Sequence, residues 1–139
     1  MGSKLHHIAI IVEDLEGSIK RFQGFGFMLG EVAENKNGGY RIAFFPVGDS
    51  LIELINYSRP PEDPLTRIVR SHQGRINHVC LEVGNIQSTI QAFEKNGARL
   101  IEGCPKMGVT GPIAFFYPET TEGVLIEICE IQKTHGEKP

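Results

Sequence analysis

The chain has 139 residues, of which 40% are hydrophobic, and its formal net charge is −3. This size fits one domain or two small modules packed together, and the charge lacks the basic footprint of a nucleic-acid-binding protein. The longest apolar stretch near the start, residues 8–12, is too short for a signal peptide or a membrane span, and no basic run suits an anionic membrane surface. The three cysteines form no CxxC pair, which favours reduced thiols and a cytoplasmic protein.

The first half of the chain predicts the element order βαβββ. Alternating β-branched residues predict a strand over 5–12, and helical spacing behind Asp14 as N-cap predicts a helix over 15–23. The turn sequences NKNGG and VGDS divide the rest of this half into strands. These three strands are expected at about 27–33, 40–46 and 50–56.

A proline-rich linker over 58–74, with a short helix, leads to a second half of the same order. Its strand is predicted over 76–83 and its helix over 86–95, with Asn85 as N-cap. Three further strands are expected at about 98–103, 111–117 and 123–130. The polar tail 132–139 is expected to fray. Three arginines near the linker either meet an anionic substrate or solvate the helix: Arg67, Arg70 and Arg75.

The two halves are an internal repeat. His7 aligns with His78, and at the same offset the segment IAFF at 42–45 recurs without substitution at 113–116. After a small insertion, LIELI at 51–55 matches LIEIC at 125–129. We therefore predict a single domain made of module one (4–57) and module two (75–131), which cannot fold apart.

Four polar residues recur at equivalent places of the two modules. His7 and His78 lie on the first strands, each on the face opposite a purely aliphatic one that a helix would cover. Glu53 and Glu127 lie within aliphatic last strands, where an ionised carboxylate is costly unless it is paired or bound to a cation.

Taken singly, each of these residues has an ordinary explanation, because strand histidines are rarely ligands and strand glutamates usually face solvent. Their recurrence in both modules favours a shared site. If the modules pack about a pseudo-two-fold axis, two imidazoles and two carboxylates converge and form a divalent-metal site with two open positions. Cys80 and Cys129 share faces with these residues and are interpreted as packing residues.

The segments HHIAIIVEDLE, VGDSLIEL, INHVCLEV and GVLIEICE resemble the vicinal oxygen chelate superfamily, which includes glyoxalase I, extradiol dioxygenases and drug-binding resistance proteins. The resemblance covers about residues 4–131. It implies an α+β fold in which two βαβββ modules form a cup-shaped, partly open mixed β-sheet barrel around a metal. It also implies the ligands His7, Glu53, His78 and Glu127, and a homodimer.

Within the superfamily, EDPLTRIVRSHQGRINHVCLEV and AFFYPETTEGVLIEICE are most like the methylmalonyl-CoA epimerases. Tyr117 and Glu119 stand where epimerase-like sequences often have histidine and lysine, which leaves the substrate's carrier open.

The ligand set suits Co²⁺, Ni²⁺, Mn²⁺ or Zn²⁺, and two open positions suit a small substrate that chelates through two oxygens. We expect an enolate formed by proton transfer next to a carbonyl, with Glu53 and Glu127 moving the proton. An epimerase-like isomerase is preferred. The alternatives are a lactoylglutathione lyase like glyoxalase I and a non-catalytic small-molecule-binding protein. A fourth ligand argues against an extradiol dioxygenase, which uses two histidines and one carboxylate.

Overall fold

The computed structural model describes residues 3–61, 63–71 and 75–131. The predicted tail 132–139 lies outside the described residues, as do positions 62 and 72–74 of the linker. The described chain contains strands, three α-helices and a 3-10 turn at Pro118–Thr120. In chain order the strands and α-helices are β1 (Lys4–Ile11), α1 (Leu15–Gly24), β2 (Glu31–Asn35), β3 (Tyr40–Val47), β4 (Ser50–Tyr57), α2 (Pro64–Arg70), β5 (Ile76–Glu82), α3 (Ile86–Lys95), β6 (Lys106–Met107), β7 (Pro112–Phe116) and β8 (Ile126–Cys129).

The chain divides into two compact units. We call His6–Val79 the N-terminal unit, and Cys80 onward together with the first five residues the C-terminal unit. In the N-terminal unit the strand order is β2-β3-β4-β1, with β1 parallel to β4 and the other pairs antiparallel. The remaining strands follow the order β5-β8-β7-β6, in which β7 is antiparallel to both β6 and β8. β5 runs from the N-terminal unit into the C-terminal unit, which it enters at Cys80. The predicted α+β class and the βαβββ order of both modules are confirmed.

Each unit buries one helix against one face of its strands. In the N-terminal unit α1 contributes Leu15 to a core with Ala43, Phe45 and Leu54, which Ile10 and Val12 of the aliphatic face border. The core of the C-terminal unit is made mostly of the residues that align with these in the repeat, and Ile86 of α3 takes the place of Leu15. Its members are Val83, Ile86, Ile90, Ala114, Phe116 and Ile128. The helices therefore cover the aliphatic faces, as the alternation predicts.

Side-chain caps begin all three α-helices. Asp14 accepts a hydrogen bond from the amide of Gly17, and Asn85 accepts one from Ser88. Asp63 caps α2 through Thr66, where Pro64 occupies the first helical position. Both predicted caps are confirmed. None of the described helices is long and apolar enough to cross a membrane.

Two predicted strands are misplaced. The segment 98–103 is not a strand; it contributes only an isolated bridge from Leu100 to Phe116, and the strand lies at Lys106–Met107. The chain turns at 102–103, and Gly103 has φ +94° there, so an extended run cannot continue. Similarly, β2 begins at Glu31 rather than at position 27, because Phe27 packs on the core before the strand starts.

Candidate metal centre

The parallel pairing of β1 with β4 brings a histidine and a glutamate to one face of the N-terminal unit. Ala9 is the register partner of Glu53, and His7 lies two residues before Ala9, so all three side chains share that face. His7 Nδ1 is 3.1 Å from Glu53 Oε2, and the two side chains are 8% and 6% exposed. A carboxylate at this depth needs a cationic partner or hydrogen bonds to be stable.

His78, on β5, extends this cluster within the same unit. Its Nε2 lies 3.3 Å from Nε2 of His7, and the two ring planes meet at 74°. His78 is itself buried. The structure thus brings together three of the four predicted ligands, namely His7, Glu53 and His78.

The hydrogen bonds of Asn77 determine which nitrogen of His78 carries the proton. The Asn77 amide nitrogen donates to the carbonyl oxygen of Val69, which can only accept. The Asn77 Oδ1 atom therefore faces His78 Nδ1, at 2.6 Å, and must accept from it. In a neutral imidazole the proton then lies on Nδ1, and Nε2 is unprotonated.

A similar argument applies to His7. Its Nδ1 is 3.1 Å from a Glu53 oxygen and 2.7 Å from Nδ1 of His6. Because an ionised carboxylate only accepts hydrogen bonds, a neutral His7 donates through Nδ1. Its Nε2 is then unprotonated and faces Nε2 of His78.

Two unprotonated nitrogens that face each other repel unless a proton or a metal cation lies between them. Two nitrogens that bind one ion at about 2.0–2.1 Å, at an angle of roughly 90–109°, lie about 2.8–3.4 Å apart. The observed separation of 3.3 Å falls in that range. Imidazole nitrogens with a carboxylate oxygen are donors that first-row divalent ions accept. The facing Nε2 atoms of His7 and His78 therefore fit one divalent metal, and Glu53 lies beside them, at Nδ1 of His7.

Glu127 belongs to the C-terminal unit, where it is buried on β8. Its cross-strand neighbour is Phe115, just as Phe44 is the neighbour of Glu53 in the other unit. The two phenylalanines are equivalent residues of the repeated IAFF segment. The same strand register thus supports the sequence equivalence of the two glutamates, while the role of Glu127 as a ligand stays a prediction.

The cysteines near Glu127 have the properties of packing residues. Cys80 is fully buried, and Cys129 nearly so. A hydrogen bond with Cys129, burial and the charge of Glu127 raise the pKa of the Cys80 thiol far above its usual value. A thiol that stays protonated is a poor nucleophile and a poor metal ligand.

The described linker arginines are engaged in local contacts or exposed. The guanidinium of Arg70 lies 4.6 Å from the centre of the Tyr57 ring and donates to the carbonyl oxygen of Arg59. Arg67 and Arg75 are exposed. These positions favour the interpretation in which the arginine charges solvate the linker helix over the one in which they bind an anionic substrate.

Two residues that contact the predicted ligands His7 and His78 are not identified from the sequence, namely His6 and Asn77. Alternation places His6 on the aliphatic face, and the residue is indeed half-buried, yet its ring reaches His7. The repeat contains a signal for them: His6 and Asn77 are aligned, so a polar residue precedes the predicted ligand histidine in both modules.

Comparisons with known proteins show which family the chain resembles. Residues 6–117 match the family model of the Glyoxalase/Bleomycin resistance protein/Dioxygenase superfamily. The chain is similar to the mitochondrial methylmalonyl-CoA epimerase of Dictyostelium discoideum, with 29% identity over 91% of this chain and 78% of that protein. It is 28% identical to the ethylmalonyl-CoA/methylmalonyl-CoA epimerase of Cereibacter sphaeroides, over 94% of this chain and all of that one.

A solved structure is similar over almost the whole length. The crystal structure of a hypothetical protein from Bacillus halodurans C-125 superposes with a TM-score of 0.84 and 30% sequence identity. The match covers 99% of this chain and 100% of that one.

Proposed function

Because the chain belongs to the glyoxalase/bleomycin resistance protein/dioxygenase superfamily, we propose that it is a divalent-metal-dependent enzyme that moves a proton next to a carbonyl group. The preferred activity is that of a methylmalonyl-CoA epimerase-like isomerase, which the names of its relatives support. The observation that carries the proposal is the buried cluster in which His7 and His78 turn Nε2 toward each other beside Glu53.

The proposed ligands are the four recurrent residues, His7, Glu53, His78 and Glu127. The repeat and the matching registers of the two glutamates support this set. A divalent ion of Co, Ni, Mn or Zn would act as a Lewis acid that stabilises negative charge on a carbonyl oxygen. The substrate class is a small molecule with two oxygens placed to chelate.

Glu53 and Glu127 are the proposed acid and base. One carboxylate accepts the α-proton, the C–H bonding pair moves into the carbonyl group and an enolate forms. The other carboxylate returns a proton to the opposite face of the carbon, so its configuration inverts. A positioned base of this kind contributes about 10²–10⁴-fold to the rate. Two equivalent carboxylates on two equivalent modules suit a reaction that runs in both directions.

An isotope experiment tests this activity. Metal-loaded protein is incubated in D₂O with methylmalonyl-CoA and, separately, with the hemithioacetal of methylglyoxal and glutathione. We expect deuterium at the α-carbon of recovered methylmalonyl-CoA, measured by mass spectrometry. Conversion of the hemithioacetal to a lactoyl thioester instead would identify a lyase of the glyoxalase I type. Binding of either compound without exchange or conversion would identify a binding protein.

Substitution of the two carboxylates tests their roles in the same assay. Glu53→Gln and Glu127→Gln should each slow exchange by at least about 10²-fold, and unequally for the two stereoisomers if each serves one face. Glu34→Gln makes the same change at an exposed position of β2 and should leave the rate unaltered. Exchange that persists in both glutamine variants would exclude the two-carboxylate mechanism.

A further inference from the structure

A buried amide links the metal-site histidine His78 to the linker helix α2. Asn77 is 3% exposed, and both ends of its side-chain amide are engaged. The amide nitrogen donates to the carbonyl oxygen of Val69, and the amide oxygen lies 2.6 Å from His78 Nδ1. Exchanging the two ends of the amide would set oxygen against oxygen at Val69, so this orientation is fixed.

The position of the Val69 carbonyl group in the helix explains why it can accept the hydrogen bond from Asn77. It lies in the last turn of α2, where the carbonyl oxygens accept no hydrogen bond from a following turn of the same helix. The cap residue Ser71 satisfies the carbonyl of Ile68 instead. Burial of Leu65 and Val69 anchors the helix, so the Val69 oxygen is a fixed acceptor.

The equivalent contact in the other module indicates that this arrangement is not incidental. His6 precedes His7 as Asn77 precedes His78, and its ring nitrogen contacts Nδ1 of His7 at 2.7 Å. Both ligand histidines thus have a polar group from the preceding residue at Nδ1. Such contacts fix the tautomer and the ring orientation of a metal-binding histidine.

We propose that Asn77 is a positioning residue, which holds His78 as the Nδ1–H tautomer, with an unprotonated Nε2 that faces Nε2 of His7, and ties that ring to α2. The proposal rests on the proposed metal site. It assigns the two ends of the amide separate tasks: the oxygen sets the tautomer, and the nitrogen sets where the ring sits relative to the helix.

The tautomer is measured directly in metal-free protein. Long-range ¹H–¹⁵N correlation spectra at mildly alkaline pH, where imidazoles are neutral, distinguish protonated from unprotonated ring nitrogens. Wild-type His78 should show a protonated Nδ1 and an unprotonated Nε2. In Asn77→Leu, which removes both hydrogen bonds, a mixture of tautomers should appear. In Asn77→Asp, whose carboxylate still accepts from Nδ1, the wild-type tautomer should persist.

Metal affinity provides the second measurement, made by competition with a chromophoric chelator for Co²⁺ or Zn²⁺. Asn77→Leu should bind about 10–100-fold more weakly, and Asn77→Asp should recover part of that loss. Asn56→Leu is the matched control, because the Asn56 amide nitrogen also donates to backbone carbonyl oxygens, those of Val12 and Glu13, but contacts neither histidine. That variant should lose stability without a change in the His78 tautomer.

Three results would overturn the proposal. They are a wild-type His78 protonated at Nε2, an unchanged tautomer in Asn77→Leu, or Asn77→Leu with wild-type metal affinity. If Asn77→Leu does not fold, the wild-type and Asn77→Asp spectra still decide the matter. Since these spectra need neither substrate nor turnover, a failure of the enzymatic proposal remains distinguishable from a failure of this one.

Discussion

The imidazoles of His7 and His78 are equivalent in sequence but are oriented by different partners. His7 contacts Glu53 and His6 through Nδ1, whereas His78 contacts an uncharged amide. Glu53 has two tasks in the proposed site, since it contacts Nδ1 of His7 and is one of the predicted ligands.

Removing single ligands tests the metal site residue by residue. We expect His78→Ala and Glu127→Ala to lose most of the bound metal, because each removes one donor from a small set. Elemental analysis of purified protein after metal loading gives the stoichiometry, with Glu34→Ala as an exposed control. Undiminished metal in both variants would refute the ligand assignment.

The buried thiols give a prediction that is independent of metal. A hydrogen bond with Cys129 and burial raise the pKa of Cys80, and burial raises the pKa of Cys104, so neither is a thiolate at neutral pH. An aromatic disulfide reagent should therefore modify Cys80 in folded protein far more slowly than in protein unfolded by guanidinium, where all three cysteines should react. Rapid labelling of Cys80, located by peptide mass spectrometry, would contradict the buried position.

At the scale of the elements, the sequence predicts features that depend on near neighbours. The starts of α1 and α3 follow from Asp14 and Asn85, because an N-cap acts within one turn. Strand β6 is different. The segment around Leu100 and Ile101 is apolar enough for a strand, but both residues are drawn into packing while the chain turns at Gly103. Pairing at a distance, rather than local pattern, decides such a segment.

In the candidate site, too, the sequence predicts what depends on near neighbours and not what depends on distant contacts. The alternation and the repeat predict which face His7 and Glu53 share, and the β1–β4 register agrees. Alternation alone cannot predict the contact between His6 and His7, since neighbouring strand residues start on opposite faces and the contact depends on the reach of two rings. Nor does it predict the role of Asn77, whose second partner lies in a helix eight residues earlier.

The N-cap of α3 leads to a prediction about the stability of the protein. Asn85 Oδ1 accepts from the Ser88 amide at 2.8 Å, and Asn85→Ala removes that acceptor. The free energy of unfolding should fall by about 0.5–2 kcal/mol, with unaltered metal content. Chemical denaturation measures the change, and Gln87→Ala, at an exposed position of the same helix, is the control. A loss equal to that of the control would show that the cap contributes nothing.

At the scale of the whole molecule, the compact units do not coincide with the sequence modules. The N-terminal unit extends through the linker to Val79, so it includes His78 of module two. The C-terminal unit in turn includes Lys4, whose ammonium lies 3.9 Å from Glu82. A chain cut in the linker thus separates residues that belong to one compact unit.

We therefore expect residues 1–60, expressed alone, to lack both a cooperative thermal transition and stoichiometric metal. This fragment lacks α2 and β5, and with them His78 and Asn77, so its buried Glu53 and His7 lose a partner of the cluster. Half of the proposed ligands are absent as well. Circular dichroism and elemental analysis measure the two properties, with the full chain as control. Co-expression with residues 61–139 should restore both, because the broken covalent link lies outside the helices and strands. A fragment that unfolds cooperatively and binds one metal ion by itself would show that module one is an independent domain.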